Sequence, residues 1–480
     1  MLAKVYSGTT IGLDGVLIEV EVDISGKGLP NLTIVGLPDK AIGEAKDRVK
    51  TAIVNSAFEM PDSRITVNLA PADIPKEGST FDLPIAIGIL AASGMIEEEF
   101  LSKSLFVGEL SLEGGVRNVP GVISIAMMAK DNKIKNIFVP SQNAKEASLV
   151  DEINVYPVRS LLDVILHFNK KKKVRAYPKF LFEKQQGTPV SEFDFKDIRG
   201  QEQAKRALEI AAAGFHNLHL KGPPGAGKTM LSYAFPSIFP PMEKKEILEV
   251  SKIHSVAGLA TQNKFIVSRP FRSPHHTTSR IGLIGGGANP TPGEVSLSHR
   301  GILFLDEFSE FPRSVLEALR QPLEDGIVTI SRAAGTLTFP SRFLLIAASN
   351  PCPCGYLGHP KKPCRCMPGS ILRYKKRISG PLLDRIDLHI DVPPVEHNKL
   401  TESSDAESSK AIRERVVEAR KRQKQRFQNS PRKTNGEMRA SQIRDRCQFT
   451  DEAIELLKTA ISRLSLSARS YFKIIKIAQT

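Results

Sequence analysis

The sequence predicts an α/β multidomain chain organised around a parallel sheet with a phosphate-binding loop, and three observations predict it. Residues 222–229 read Gly222-Pro223-Pro224-Gly225-Ala226-Gly227-Lys228-Thr229, the pattern G-x-x-x-x-G-K-[ST], with an apolar lead-in from Leu218 to Leu220 and a helix-compatible run from Lys228. Gly301-Ile302-Leu303-Phe304-Leu305 is a continuous apolar run, as in a strand buried on both faces, and it ends in Asp306-Glu307. Residues 1 to about 168 alternate strand-like and helix-like segments, which gives an α+β domain with its own core.

A chain of 480 residues exceeds one ordinary core, so two or three domains are expected. Composition is that of a globular protein, 41% hydrophobic and 25% charged, which excludes wholesale disorder. No apolar run approaches the ~20 residues a membrane helix needs, and the N-terminus lacks a signal-peptide layout. A soluble cytoplasmic protein without a membrane partner is expected. The net charge of +15 favours a polyanionic partner such as nucleic acid, although nucleotide-binding proteins are also often basic.

In the first domain, Val16 to Ile24, Leu32 to Leu37 and Ile65 to Leu69 read as strands, and Lys40 to Ser56 and Phe81 to Ala92 as helices. A strand pair around Leu105–Val116, a helix from Gly121 to Ala129 and a strand at Ile137–Pro140 follow. The run of four lysines from Lys170 to Lys173 marks a composition break, and 169–192 reads as a linker.

The nucleotide core is expected over 193–395, opening with a helix from Glu202 to Ala213. Nearly eighty residues separate the Lys228 helix from the Asp306 strand, far more than a β-α-β connection needs, so an insertion is expected. It carries Arg269-Pro270-Phe271-Arg272-Ser273-Pro274-His275-His276-Thr277-Thr278 and the Gly285-Gly286-Gly287 turn. Beyond Asp306 come a helix from Ser314 to Glu324, a β-hairpin over 326–339, and a buried strand from Phe343 to Ser349 that closes on Asn350. Residues 396–480 read as a helical region: a Ser- and acid-rich joint from Thr401 to Ser409, a basic helix from Ala411 to Phe427, then helices from Asp451 and Ser467. The last reaches Thr480 without a stop signal, so a C-terminally shortened element is expected.

The two motifs define one chemistry. Glycines let the backbone curl so that successive N–H groups face phosphate oxygens, and the helix that follows adds its positive end. Lys228 is expected to reach the β- and γ-phosphates of ATP, while Thr229 and Asp306 hold Mg²⁺. Glu307 is positioned to polarise the attacking water, so hydrolysis is expected, with binding alone as the alternative.

The phosphate loop, Leu305-Asp306-Glu307, the hairpin before Asn350 and the late Ser467-Ala468-Arg469 together resemble one family, the magnesium-chelatase-like AAA+ ATPases of the YifB/ComM type. The resemblance covers essentially the whole chain. Its most specific segments are Arg272-Ser273-Pro274-His275-His276-Thr277, Gly293-Glu294-Val295-Ser296-Leu297 and Arg377-Ile378-Ser379-Gly380-Pro381-Leu382-Leu383-Asp384-Arg385-Ile386-Asp387. It implies a P-loop AAA+ core, a small helical lid, and a homo-oligomeric ring, a hexamer, with ATP between subunits. It also implies that Asn350 orients the attacking water, that Arg385 (or, second, Arg377) is the arginine finger, and that Arg469 senses the γ-phosphate from the lid. The first domain resembles the Lon protease proteolytic domain, a ribosomal-S5-like fold. Aligned through Lys76-Glu77-Gly78-Ser79-Thr80, Thr80 falls where Lon has its serine, Phe81 and Asp82 replace small residues, and an isoleucine of the 121–125 segment replaces the partner lysine. Without that base a structural or docking module is expected, not a peptidase.

ComM-type relatives imply a motor that acts on single-stranded or branched DNA, promoting branch migration in recombination during natural transformation. Arg413, Arg415, Arg420, Lys421, Arg422, Lys424 and Arg426 form a basic stripe, and Arg332 at the hairpin tip is a candidate pore contact; a solvated helix face explains the stripe equally well. Two other functions stay open: a chelatase motor driving metal insertion into a tetrapyrrole, and a nucleotide-dependent scaffold without catalysis.

Cys352, Cys354, Cys364 and Cys366 form two Cys-x-Cys pairs nine residues apart. A tetrahedral Zn²⁺ site is one reading and free cytosolic thiols the other. His275 and His276 sit in a polar insertion with no acidic residue nearby in sequence, so hydrogen bonding is expected of them, not metal binding or base catalysis.

Overall fold

The computed structural model describes the chain except for residues 27–28, 38, 77, 97, 181–191, 260–265, 288–289, 333–334, 396–405, 429 and 431. Residues 181–191 of the expected 169–192 linker and 401–405 of the joint before Ser409 therefore lie outside the described residues. The chain divides into two compact units, Met1–Gln185 with Ile247–Ile266, and Gln186–Glu246 with Val267–Thr480. Among the described residues no helix is long and apolar enough to cross a membrane.

The first unit is built on seven strands: β1 (Leu2–Ile11), β2 (Asp14–Ser25), β3 (Asn31–Val35), β4 (Arg64–Ala70), β5 (Ser104–Phe106), and, after a separate two-stranded pair of β6 (Glu109–Leu110) and β7 (Val116–Arg117), β8 (Asn136–Pro140) and β9 (Asn154–Val158). The sheet order is β3-β4-β2-β1-β5-β8-β9. Strand alternation puts neighbouring side chains on opposite faces: Leu105, Ile137 and Val139 join one core cluster, Phe106 and Phe138 the other. Helices Lys40–Asn55 and Asp82–Ala92 cover the second of these faces, and Val122–Asp131 covers the first. β1 and β9 are additions to the predicted set. In β1, Ala3 and Val5 are buried while Leu2 and Lys4 are exposed, an alternation short and polar enough to pass for an unstructured start.

Part of the expected insertion belongs to this unit. Residues 247–259 pack with it: Ser255 accepts through its carbonyl from Gly121 N–H at 3.1 Å, and Lys252 pairs with Asp14 at 2.9 Å.

The second unit holds a five-stranded, all-parallel sheet in the order β11-β14-β17-β10-β18. Its strands are β10 (Leu218–Lys221), β11 (Phe271–Arg272), β14 (Ile302–Leu305), β17 (Leu344–Ser349) and β18 (Leu388–Asp391), with a short β12 (Gly285–Gly286) and β13 (Thr291–Pro292) pair in the insertion. Between β14 and β17 runs the expected hairpin, β15 (Ile327–Arg332) against β16 (Gly335–Pro340); the side chain of Arg332, the candidate pore contact, lies outside the described residues. Pairings Lys221↔Ser349 and Leu305↔Ala347 bring the carboxyl ends of β10, β17 and β14 side by side, where such sheets bind ligands.

Two expectations need correction. The helix expected over 314–324 is two short ones, Arg313–Glu317 and Arg320–Asp325, because Pro322 has no N–H to give Ala318. The basic helix, Ser409–Arg426, is not a freely solvated stripe. Ile412 and Val416 enter the core beside helix Glu202–Gly214, Arg420 donates to Ala212 O at 2.9 Å, Arg415 pairs with Glu209 and Glu407, and Lys424 with Glu243 at 2.8 Å. The last helix ends at Ala478, and the Thr480 hydroxyl packs 2.8 Å from His216 Nε2.

Candidate functional site

The loop at 222–227 joins buried β10 to helix Lys228–Ala234. Gly225 and Gly227 adopt φ of +76° and +87°, a left-handed backbone that a side chain would resist, and nothing stands within 4 Å of where a Cβ would project. The loop is tied down at both ends. Gly222 N–H donates to Ser349 O at 3.1 Å, and the Gln201 side-chain amide donates to Ala226 O at 3.1 Å and Pro393 O at 2.6 Å. Gln201 escaped the sequence reading; its one trace is its place directly after Gly200, ahead of the helix.

Lys228 is 7% exposed, and its ammonium donates to Gly222 O (2.8 Å), Pro223 O (2.9 Å) and Asn350 Oδ1 (3.2 Å). Among the described residues it has no carboxylate within ion-pair distance. Burial lowers it from the ordinary lysine value, with the more distant Asp306 charge opposing. A buried cation matched only by neutral oxygens suits an incoming anion, so the residues present fit a phosphate. Beneath the loop, His219 is pushed down to about 4 by burial, and by its neighbours His389 and Lys221, so it stays neutral; its Nε2 lies 2.8 Å from Ser349 Oγ.

The Thr229 hydroxyl donates to Asp306 Oδ2 at 2.9 Å. A hydroxyl and a carboxylate in contact at the mouth of a phosphate loop are a hard oxygen set of the kind Mg²⁺ takes together with phosphate oxygens. Asp306 Oδ1 also accepts from Glu307 N–H at 2.8 Å. Glu307 has φ of +48°, a strained conformation for a residue with a side chain, and its carboxylate is about half exposed.

That carboxylate meets His276 Nδ1 at 3.1 Å. His276, expected to hydrogen-bond for want of an acidic residue nearby in sequence, finds an acid that comes from the tip of β14 and is distant in sequence. Arg272 and Glu294 form a bidentate pair, both contacts 2.6 Å, which joins two of the family-specific segments as a structural clasp.

The loop, Asp306 and Asn350 thus come together, with Glu307 next to Asp306 in the chain and its carboxylate on His276. The arginines do not: Arg385 donates to Pro381 O at 2.7 Å and to Glu324, Arg469 donates to the same Glu324 at 3.1 Å, and Arg377 pairs with Glu310 at 2.6 Å. Among the described residues neither Arg385 nor Arg469 makes a polar contact with the loop.

Beyond Asn350, the Sγ atoms of Cys352, Cys354, Cys364 and Cys366 all lie within 4.8 Å of one another. All are free thiols, and Cys352 is fully buried. In the first unit, Thr80 is nearly buried, Ser79 donates its hydroxyl to Glu109, buried Lys76 donates to Pro71 O, and both isoleucines of the 121–125 segment, Ile123 and Ile125, lie buried inside a core cluster.

Comparison with known proteins agrees with this geometry. Family models described as "Magnesium chelatase, subunit ChlI", "Subunit ChlI of Mg-chelatase" and "Magnesium chelatase, subunit ChlI C-terminal" match residues 194–400, 20–143 and 406–480. The chain is 44% identical to competence protein ComM of Haemophilus influenzae, over 100% of this chain and 93% of that one. It is 43% identical to the uncharacterized protein YifB of Escherichia coli, over 100% of this chain and 92% of the relative. A partial similarity, 28% identity over 29% of this chain and 26% of the relative, links it to Lon protease 2 of Bacillus subtilis.

Proposed function

Because the chain belongs to the magnesium-chelatase-like YifB/ComM family of AAA+ ATPases, a family of nucleotide-dependent motors, we propose that it is an ATP-hydrolysing ring motor that remodels DNA by branch migration in recombination or natural transformation. The observation that carries the hydrolytic part is the Thr229–Asp306 contact, which joins the phosphate loop to the tip of β14 with Glu307 one residue further on.

In this reading Lys228 exchanges its carbonyl partners for the β- and γ-phosphate oxygens. Thr229 and Asp306 would hold Mg²⁺, which would supply neutralisation of the charge building on the phosphates. Glu307 takes the proton of the attacking water, and Asn350, already 3.2 Å from the Lys228 ammonium, orients that water. Arg385 serves the neighbouring subunit of a hexameric ring, and Arg469 reads the γ-phosphate from the lid; both then leave Glu324 on assembly.

The DNA assignment is supported by the net charge of +15 and by the competence protein among the relatives. The first unit is read as a non-proteolytic module, supported by Ile123 and Ile125 of the 121–125 segment lying in the core and by Lys76 being engaged with Pro71 O. The cysteine cluster is read as a structural Zn²⁺ site in a cytoplasmic, reducing setting. The test is ATP turnover alone, with single-stranded DNA and with a four-way junction, beside a Glu307→Gln control. Stimulation by the junction that disappears in the control supports the motor; turnover indifferent to every DNA removes it.

A further inference from the structure

We propose that Cys352, Cys354, Cys364 and Cys366 form a zinc-thiolate knot that braces the phosphate loop, so that metal occupancy sets nucleotide affinity. The bracing half rests on reading 222–229 as an ATP site, whereas the metal half stands without it.

The geometry of the sulfurs is that of a closed tetrahedral site. With Zn–S bonds of about 2.3 Å, neighbouring sulfurs of a Zn(Cys)₄ tetrahedron lie about 3.8 Å apart. Here Cys352 is 3.4 Å from Cys354 and 3.7 Å from Cys364, and Cys354 is 3.6 Å from Cys364. Cys366 completes the set, its Sγ accepting from Cys354 N–H at 3.4 Å. Four soft sulfur ligands closing on one point, with no oxygen or nitrogen ligand among the clustered groups, select zinc over a hard cation such as Mg²⁺.

The surrounding chain needs such a cross-link. From 353 to 373 the one buried residue is Gly355, and regular structure begins again only at helix Pro368–Lys376. A stretch with so little buried apolar area does not repay the entropy of fixing its shape by packing alone.

The knot also touches the site. Gly355, at φ of +81°, lies so close to the phosphate loop that a Cβ there would stand 2.5 Å from Pro224 Cδ. Two residues before the first cysteine, Asn350 shares the Lys228 ammonium. The Cys352–Gly355 turn thus has the loop's Pro224 on one side and the end of β17 on the other. Loss of the metal frees this turn and removes a wall of the loop.

The test starts with full-length protein purified without chelator. Elemental analysis is expected to give about one Zn²⁺ per chain, and Cys364→Ser/Cys366→Ser is expected to lose it. Affinity for a fluorescent ATP analogue should then fall about tenfold, with cooperative thermal unfolding retained. Gly355→Ala supplies a second arm: it should keep zinc yet weaken nucleotide binding. Zinc well below one per chain, with all four thiols reacting with a disulfide reagent without metal release, overturns the metal half. Nucleotide binding at wild-type strength in both the zinc-free protein and Gly355→Ala overturns the bracing half. Zinc-loaded wild type that binds no nucleotide overturns the ATP reading and the bracing together, and leaves the metal site standing.

Discussion

His276 Nδ1 stands 3.1 Å from Glu307 Oε2, so the residue read as the water-activating base is held by an imidazole from the insertion. Whatever moves the 272–278 segment therefore re-aims the carboxylate. Glu307→Gln is expected to cut kcat by at least about a hundredfold while nucleotide still binds. His276→Gln is expected to lower kcat with little change in KM, since it alters aim and not affinity. Steady-state ATPase kinetics on both variants check this; a His276→Gln enzyme with wild-type kcat removes the histidine from the mechanism.

Lys228 meets no carboxylate among the described residues, so phosphate is the natural partner of its buried charge. Lys228→Ala should weaken nucleotide binding by about 1.5–3 kcal/mol, the worth of hydrogen bonds to charged groups. Isothermal titration of ATP into both proteins measures it.

Arg385 and Arg469 converge on Glu324. If Arg385 acts across a subunit boundary, Arg385→Ala and Lys228→Ala proteins, each inactive alone, should recover part of the ATPase when mixed, because some boundaries then carry an intact loop and an intact arginine. Mixtures that stay at the sum of their parts would place the arginine's role within its own subunit.

From 352 to 376 the sequence has no Asp or Glu, and Lys361, Lys362 and Arg365 stand exposed on the cysteine loop. With much of the basic helix engaged internally, this loop is the better candidate for phosphate contacts. Lys361→Glu/Lys362→Glu/Arg365→Glu should weaken junction binding and reduce its salt dependence by about three counterions, with unstimulated ATPase unchanged. Fluorescence anisotropy across a salt series reads both effects.

Burial pushes the Glu146 carboxyl up to about 7, against the hydrogen bond that Asn143 donates to it. A carboxyl raised in the folded state is protonated there at a pH where the unfolded chain has already ionised. Its stabilising effect is thus full below about 4.5 and is lost as pH rises through about 7. Glu146→Gln should therefore gain stability relative to wild type, on the order of 1–3 kcal/mol, at pH 8 and little at pH 5. Thermal melts at the two pH values decide it.

The sequence revealed the parts whose chemistry is local. The phosphate loop is read from eight consecutive residues, and the tip of β14 from an apolar run closed by two acids. Long periodic helices such as Lys40–Asn55 and strands such as β17 were legible for the same reason. What stayed hidden depends on distant pairing. The acid facing His276, the Gln201 amide across the loop ends and the Glu324 shared by two arginines are contacts no local pattern encodes. The basic helix misled because alternating Arg, Lys and Glu look alike on a wet surface and on a face that pairs with another helix.

Helix Ser409–Arg426 has a consequence for how the chain matures. Ser409 Oγ accepts from Phe195 N–H at 2.8 Å, Ile412 and Val416 fill the core beside 202–214, and Gln423 donates to Ala213 O at 2.9 Å. During synthesis the loop, the strands and both acids therefore emerge from the ribosome before the piece that seals their flank. Until that helix arrives, the half-made nucleotide module exposes greasy surface to chaperones, and nonsense mutations just upstream should yield aggregates instead of a smaller working ATPase.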